Sequence, residues 1–270
     1  MTNDKQLTQL LEAIHDRYGY DFTRYAGASV SRRVKHYMES KGIDTIETLR
    51  EQLFSDERTF IDFVEHLSIT VTAMFRDPTF FRALRDTVIP RLATYPMIRI
   101  WIAGCATGQE AYSVAIILKE AGLLERSLIY ATDINQRSLR IAQAGIYHVD
   151  NMKQYTTNYL ESGGKRSFSE YYIAKYDSVM LDRSLKKNML FAAHNLAADG
   201  SFNEFQLIIC RNVIMYFNQE LQNRVLNLFH ASLCNFGYIG LGDKESLLFY
   251  ENRSFFEEVD GKEKLYRRIK

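Results

Sequence analysis

The stretch that most limits how this chain can fold runs from Ile98 to Asp133. Ile98–Ala103 reads as a short apolar strand, Gly104–Gly108 as a tight turn of small residues, and Glu110–Ala121 as a helix closed by Gly122. Leu128–Thr132 then reads as a second strand, ending at Asp133. Further on, Met189–Ala193 and Phe205–Cys210 are strand-like, Leu221–Leu233 is helical and Tyr238–Leu241 is another strand. Asp260 and Gly261, ahead of Lys264–Ile269, mark a hairpin returning to the sheet. Alternating strands and helices indicate an α/β, doubly wound sheet.

The chain ahead of this stretch has a different period. Leu7, Leu10, Leu11, Ile14 and Tyr18 recur at helical spacing, as do Phe60, Phe63, Val64 and Leu67. Asp44–Glu47 has the form of a capping box before Leu49 and Leu53. Asp77 followed by Pro78 reads as an N-cap with proline at the first helical position, opening a helix to about Pro90. Residues 1–76 are therefore expected as a helical domain, 77–97 as a linker helix and 98–270 as the α/β domain. Within the latter, about 152–187 fits the pattern poorly and reads as a small inserted subdomain, with Gly163, Gly164 and several tyrosines.

Composition narrows the function. The chain carries 34 Lys+Arg against 33 Asp+Glu, so no global field favours nucleic acid or a membrane surface. Cys105, Cys210 and Cys234 are too few and too scattered for a disulfide framework or a zinc site. The N-terminal residues lack a signal-peptide core, and no apolar run reaches the roughly 18 residues of a membrane span. A cytoplasmic protein that uses neither nucleic acid, membrane insertion nor metal is expected.

A glycine turn between strand and helix makes a cofactor cradle, because the backbone can approach a ligand closely there. An acid ending the next strand can accept hydrogen bonds from ribose hydroxyls, and here it is Asp133. The G-x-G-x-x-G dinucleotide fingerprint is absent, and so is a phosphate-binding Gly-Lys-Ser/Thr. The looser first motif of S-adenosylmethionine-dependent methyltransferases fits better. Taken alone, the pattern leaves a purely structural turn open, with Asp133 a helix cap or a surface acid.

Four segments in order carry more: Ser68–Arg76, Ile100–Ser113, Ala131–Ile134 and Cys210–Phe217. With them, nearly the whole chain resembles the CheR-type chemotaxis receptor methyltransferases. The resemblance implies a Rossmann-like class I methyltransferase sheet with a helical N-terminal domain and a small insertion. It implies S-adenosylmethionine as cofactor, S-adenosylhomocysteine as product, and receptor glutamate side chains as acceptors. The polar loop that touches the cofactor falls on Thr70, Thr72 and Arg76, with Thr70 replacing the usual asparagine. The glycine turn contributes Gly104, and Glu110 falls near the methionine part of the cofactor. Asp133 falls at the ribose, Asn195 and Leu196 at the adenine, and Arg211 and Asn212 after the fourth strand. Tyr216 falls near the point of methyl transfer. Arg211 and Tyr216 are the candidate catalytic residues, expected to orient the acceptor carboxylate.

The implied chemistry needs little else. A glutamate with an ordinary pKa of about 4.3 is already an anion at neutral pH, so neither a general base nor a metal is required. Other methyltransferase chemistries fit less well. The Asp/Asn-Pro-Pro-Tyr of amino-group enzymes is absent after the fourth strand, Cys210 follows Ile209 as a buried strand-end cysteine would, and the histidines show no ligand spacing. Two rival readings are a methyltransferase for another signalling protein and a non-catalytic S-adenosylmethionine-binding module.

Two departures from the family stand out. Gly242–Ser246 replaces the usual Gly-His-Ser-Glu, and Glu161–Ser167 carries two adjacent glycines where one subgroup has three spaced ones. Tethering to a receptor's C-terminal peptide is therefore not expected. On a helical wheel, Val30, Val34, Tyr37 and Met38 fall on one side of Ser29–Lys41, and Arg32, Arg33, Lys35 and His36 on the other. That basic face is solvated, or a docking surface for the acidic helical methylation region of a receptor; nucleic acid is a weaker third reading, because basic residues elsewhere are balanced by acids.

Overall fold

A computed structural model describes residues 2–68 and 72–270. Four helices open the chain: α1 (Thr2–Tyr18), α2 (Gly27–Lys41), α3 (Ile46–Ser55) and α4 (Glu57–Leu67). Their apolar stripes meet in one core built from Leu10, Ile14, Val34, Tyr37, Leu49, Leu53, Phe60 and Phe63. Burying each such side chain stabilises the domain by about 1.5–3 kcal/mol. The cap of α3 sits one residue later than its sequence signature. Thr45, not Asp44, accepts the Thr48 N–H at 3.1 Å, and Glu47 accepts instead from Gln6 Nε2 at 2.7 Å.

Pro78 opens α5 (Pro78–Ala83), which continues through one π turn, Leu84–Val88, into α6 (Ile89–Leu92). Pro78 is tolerated because no N–H is needed at the first position of a helix, and Pro90 comes directly after the π turn, where the regular bond ladder is already interrupted. Asp77 does not cap α5 as expected: it takes a left-handed φ of 57° and makes no side-chain capping bond.

The α/β part contains β1 (Ile98–Ala103), α7 (Gln109–Glu120), β2 (Ser127–Asp133), α8 (Gln136–Ala144) and β3 (Ile146–His148). It continues with α9 (Met152–Glu161), β4 (Tyr172–Lys175), β5 (Ser178–Leu181), α10 (Arg183–Lys186) and β6 (Met189–Ala193). It ends with β7 (Phe205–Cys210), α11 (Gln219–Ser232), β8 (Leu233–Leu241), β9 (Phe256–Asp260) and β10 (Leu265–Arg268). The main sheet runs β6-β2-β1-β7-β8-β10-β9, parallel from β6 to β8, with β10 antiparallel to both β8 and β9. β7 is buried along its whole length, as a strand covered on both faces must be. Strand alternation sorts the core. Ile100, Ile102, Leu207 and Ile209 face α7, while Trp101, Ile208, Cys210 and Ile239 face α11.

β3, β5 and β4 form a separate three-stranded sheet. It draws in Ile146–His148, upstream of the stretch that the sequence sets apart. The Glu161–Ser167 loop lies between α9 and the short helix before β4, and the β4–β5 turn is Tyr176–Asp177. From β1 the chain runs outward on one side to β2 and β6, then crosses to β7 on the other. A ligand crevice is expected at that switch point, beyond the carboxyl ends of β1 and β7.

Candidate active site

Gly104 and Arg211 leave β1 and β7 at this crevice. Gly104 has φ 77°, and both its N–H and that of Cys105 reach the Thr132 carbonyl, at 2.8 and 2.9 Å. A Cβ on Gly104 would come within 2.5 Å of Val213 Cγ2, so the two loops meet only because glycine stands there. Gly108, φ 94°, starts α7 with the same requirement: a Cβ would meet Ala142 Cβ at 2.8 Å.

Asp133 ends β2 under the turn. Its Oδ2 accepts the Ala106 N–H at 2.8 Å, and its Oδ1 the Asn135 N–H at 2.8 Å. Burial pushes its carboxyl up, and these backbone donors oppose that push. Each oxygen keeps a further lone pair for a ligand hydroxyl. Asp133 does not cap α8: the Asn135 side chain does, accepting from Ser138 N–H.

Glu110, on the first turn of α7, meets Arg211. Arg211 Nη1 donates to Glu110 Oε1 at 2.8 Å and to the Arg76 carbonyl at 3.1 Å, and Nη2 donates to Asp77 Oδ2 at 2.7 Å. The guanidinium lies 4.1 Å from the Phe80 ring centroid, and the side chain is 3% exposed. Burial raises the Glu110 carboxyl above its ordinary range, with Arg211 as the main opposing influence. Arg211, which the sequence reading offers with Tyr216 as a group to orient the acceptor carboxylate, lines the first lobe of the crevice, with both terminal nitrogens engaged by Glu110, Asp77 and the Arg76 carbonyl. The Asp77 carboxylate that a cap would have used is one of them.

Two lobes share the crevice. One is lined by Thr72, Arg76, Glu110 and Arg211, the other by Asp133, Asn195, Leu196 and Arg33. Gly104, Asn212 and Tyr216 border both. The candidate cofactor residues thus converge, apart from Thr70, which lies outside the described residues. Asn195 also orders its own loop, its side chain accepting the Ala197 N–H at 3.0 Å.

The helical domain supplies one wall of the second lobe, with Phe22, Tyr25 and Leu67. It is tied to the loop after β7 by backbone bonds from Ala26 N–H to the Tyr216 carbonyl, 2.7 Å, and from Asn218 N–H to the Arg24 carbonyl, 2.8 Å. Arg33 does not share the outer basic face of α2. Its guanidinium lies over the Tyr216 ring, 5.1 Å from the centroid, and donates to the Leu67 carbonyl. Arg32, Lys35 and His36 are exposed on the outer face, where His36 Nδ1 lies 3.0 Å from His66 Nε2.

Glu245 was not singled out by the sequence reading. Its buried carboxylate accepts from the backbone N–H groups of Gly242, Asn212, Val213 and Met215, at 2.7 to 3.1 Å. It holds Asn212 at φ 60° and shapes the loop that carries Tyr216. Burial pushes its carboxyl up against those four donors. The available signal was that Gly242–Glu245 keeps the glutamate of the family's Gly-His-Ser-Glu while changing the two residues between.

Among the described residues no cluster of His, Cys, Asp and Glu forms a metal site, and no helix is long and apolar enough to cross a membrane. Residues 70–265 match the family described as CheR methyltransferase, SAM binding domain, and residues 5–68 match CheR methyltransferase, all-alpha domain. A Pseudomonas putida protein named as a candidate methyltransferase, Cher3, is 47% identical over 265 residues, covering 98% of this chain and 97% of its own. Chemotaxis protein methyltransferase of Listeria innocua is 30% identical, covering 85% of this chain and 86% of its own. Chemotaxis protein methyltransferase 1 of Vibrio cholerae is 35% identical over 191 residues, 68% of this chain and 67% of its own.

Proposed function

Because the chain belongs to the CheR methyltransferase family and carries its S-adenosylmethionine-binding domain, we propose that it methylates glutamate side chains of chemotaxis receptors, forming methyl esters for sensory adaptation. The observation that carries this reading is the placement of Tyr216. It borders both lobes of the crevice, between the lobe that holds Glu110 and a wall supplied by the helical domain.

S-adenosylmethionine supplies an activated methyl on a sulfonium, so the protein's task is binding, alignment and exclusion of water. The cradle suits that cofactor. Glu110 offers buried negative charge for its ammonium, Asp133 spare acceptor sites for ribose hydroxyls, and Asn195 with Leu196 a border for adenine. Thr72, Arg76 and Asn212 line the remaining walls, and Thr70 belongs to the same polar loop by sequence. Arg211 acts through Glu110: it holds that carboxylate in place and in its charged form, as a positioning residue. Tyr216 is the group left to face the acceptor. Phe22, Tyr25 and Leu67 strip water from an incoming carboxylate, and Arg33 supplies the positive charge beside Tyr216 that Arg211 no longer offers. Arg32, Lys35 and His36, outside the crevice, suit an acidic helical methylation region of a receptor.

The test mixes the protein with methyl-labelled S-adenosylmethionine and receptor-bearing membranes from its source. Label on receptor-sized bands, released as methanol by mild alkali, is the expected outcome. Alkali-stable label would exclude a carboxyl ester. Cofactor binding without transfer would mean a binding module or a different protein substrate.

A further inference from the structure

The wall that the helical domain gives the second lobe is not wholly apolar. Tyr25, just ahead of α2, lies half-buried against that lobe, which Asp133, Asn195 and Leu196 line from the sheet side. Among the described residues none hydrogen-bonds its hydroxyl, and the oxygen is not one of the unpartnered atoms sealed in the interior. Burial, then the charge of Asp133, pushes that hydroxyl up; Arg33 opposes the push and Asp21 adds to it. The phenol therefore keeps its proton at neutral pH and is a donor within the field of the acid that ends β2.

Both domains hold the ring. Its centroid lies 5.3 Å from that of Phe22 and 4.9 Å from that of Phe217, each edge-on, and Tyr25 forms an isolated antiparallel bridge with Phe217. The Tyr25 N–H donates to the Phe22 carbonyl at 3.3 Å. A side chain fixed in this way loses little freedom when a ligand arrives.

Asp133 sets the chemistry of the partner. An ionised carboxylate only accepts, so a ligand hydroxyl that donates to it still has lone pairs of its own to satisfy. Where a bound ligand has displaced water, those lone pairs call for a protein donor. Two other donors of the lobe are engaged: Arg33 donates to the Leu67 carbonyl, and Asn195 Nδ2 to the Gly19 carbonyl at 3.5 Å. Resting on the cofactor placement proposed above, we infer that Tyr25 is a cofactor-binding residue of the helical domain, its hydroxyl donating to a ribose hydroxyl that itself donates to Asp133. The nucleoside is then held from both domains.

The test is calorimetric titration of the whole protein and of Tyr25→Phe, which keeps the ring and removes the hydroxyl. The probes are S-adenosylhomocysteine and its 2′-deoxy and 3′-deoxy analogues. Tyr25→Phe is expected to bind S-adenosylhomocysteine roughly three- to tenfold more weakly, as loss of one hydrogen bond would. With one of the two analogues the variant and the unaltered protein are expected to bind equally, because the partner hydroxyl is already gone. Equal weakening across all three ligands would overturn the ribose contact and leave only an effect on the wall. Unchanged affinity for S-adenosylhomocysteine would overturn the role of Tyr25 while the cofactor placement stands. No binding of S-adenosylhomocysteine by the unaltered protein would overturn that placement, and this inference with it.

Discussion

Glu245, Asp133 and Glu110 are carboxylates raised by burial that meet different partners at the crevice, and the roles of Glu245, Glu110 and the neighbouring Tyr216 can be tested singly. Glu245 answers four backbone donors. Glu245→Gln puts an amide NH2 against some of those N–H groups, and about 2–3 kcal/mol of stability should be lost in chemical denaturation. Tyr216→Phe keeps the ring under Arg33 and removes only the hydroxyl. Turnover should fall while S-adenosylhomocysteine affinity stays the same; loss of affinity alone would take Tyr216 away from the acceptor. Glu110 has a raised carboxyl, so if it faces the cofactor ammonium as proposed, protonation removes that charge while the pH is still above the ordinary glutamate range. The sign for folding is opposite. A raised carboxyl favours the folded state when protonated, so Glu110, Asp133 and Glu245 add stability as pH falls through their folded pKa values. Asp62 and Asp182 have lowered carboxyls and stop stabilising only as pH falls below the ordinary aspartate value. Cofactor affinity should therefore drop in weak acid while the melting temperature holds, and Glu110→Gln should flatten that pH dependence.

At the scale of an element, α2 shows what periodicity can and cannot reveal. The wheel separates Val30, Val34 and Tyr37, all buried, from a basic side. It cannot say that Arg33 turns toward Tyr216, because that contact joins residues far apart in sequence. Charge reversal at Arg32 and Lys35 should accordingly raise the Michaelis constant several-fold and weaken its salt dependence, with turnover at saturation unchanged. Arg33→Ala should lower turnover as well. If all three positions behave alike, α2 acts as one undifferentiated basic face. The same distinction holds for Asp77. Its neighbour Pro78 marks a helix start from sequence alone, but an N-cap residue and an ion-pair partner of Arg211 look identical until β7 is laid beside α5.

Across the whole molecule, the strand–turn–helix of β1, Gly104–Gly108 and α7 is legible because every requirement on it is local: a period, two glycines and an acid at the next strand end. The closed cleft is not, because its second wall comes from a domain that shares no periodicity with the sheet. Glu245, Arg33 and the Ala26–Tyr216 bond are all long-range and leave no pattern in a single sequence. Those contacts make the two parts interdependent, and the chain offers a way to see it. Trp101, the sole tryptophan, is fully buried in the sheet domain between β1 and α11, whereas α1 to α4 contain none. Tryptophan fluorescence therefore follows the sheet domain, while circular dichroism at the helix band also senses the helical one. If the cleft couples them, both probes should give one coincident thermal transition. S-adenosylhomocysteine at about 100 times its dissociation constant should then add about 2.7 kcal/mol and raise both curves together by several degrees. A ligand-insensitive step seen only by circular dichroism would mean that the helical domain melts on its own. Tyr216 would then lack a fixed wall, and the direct role assigned to Arg33 would fall with it.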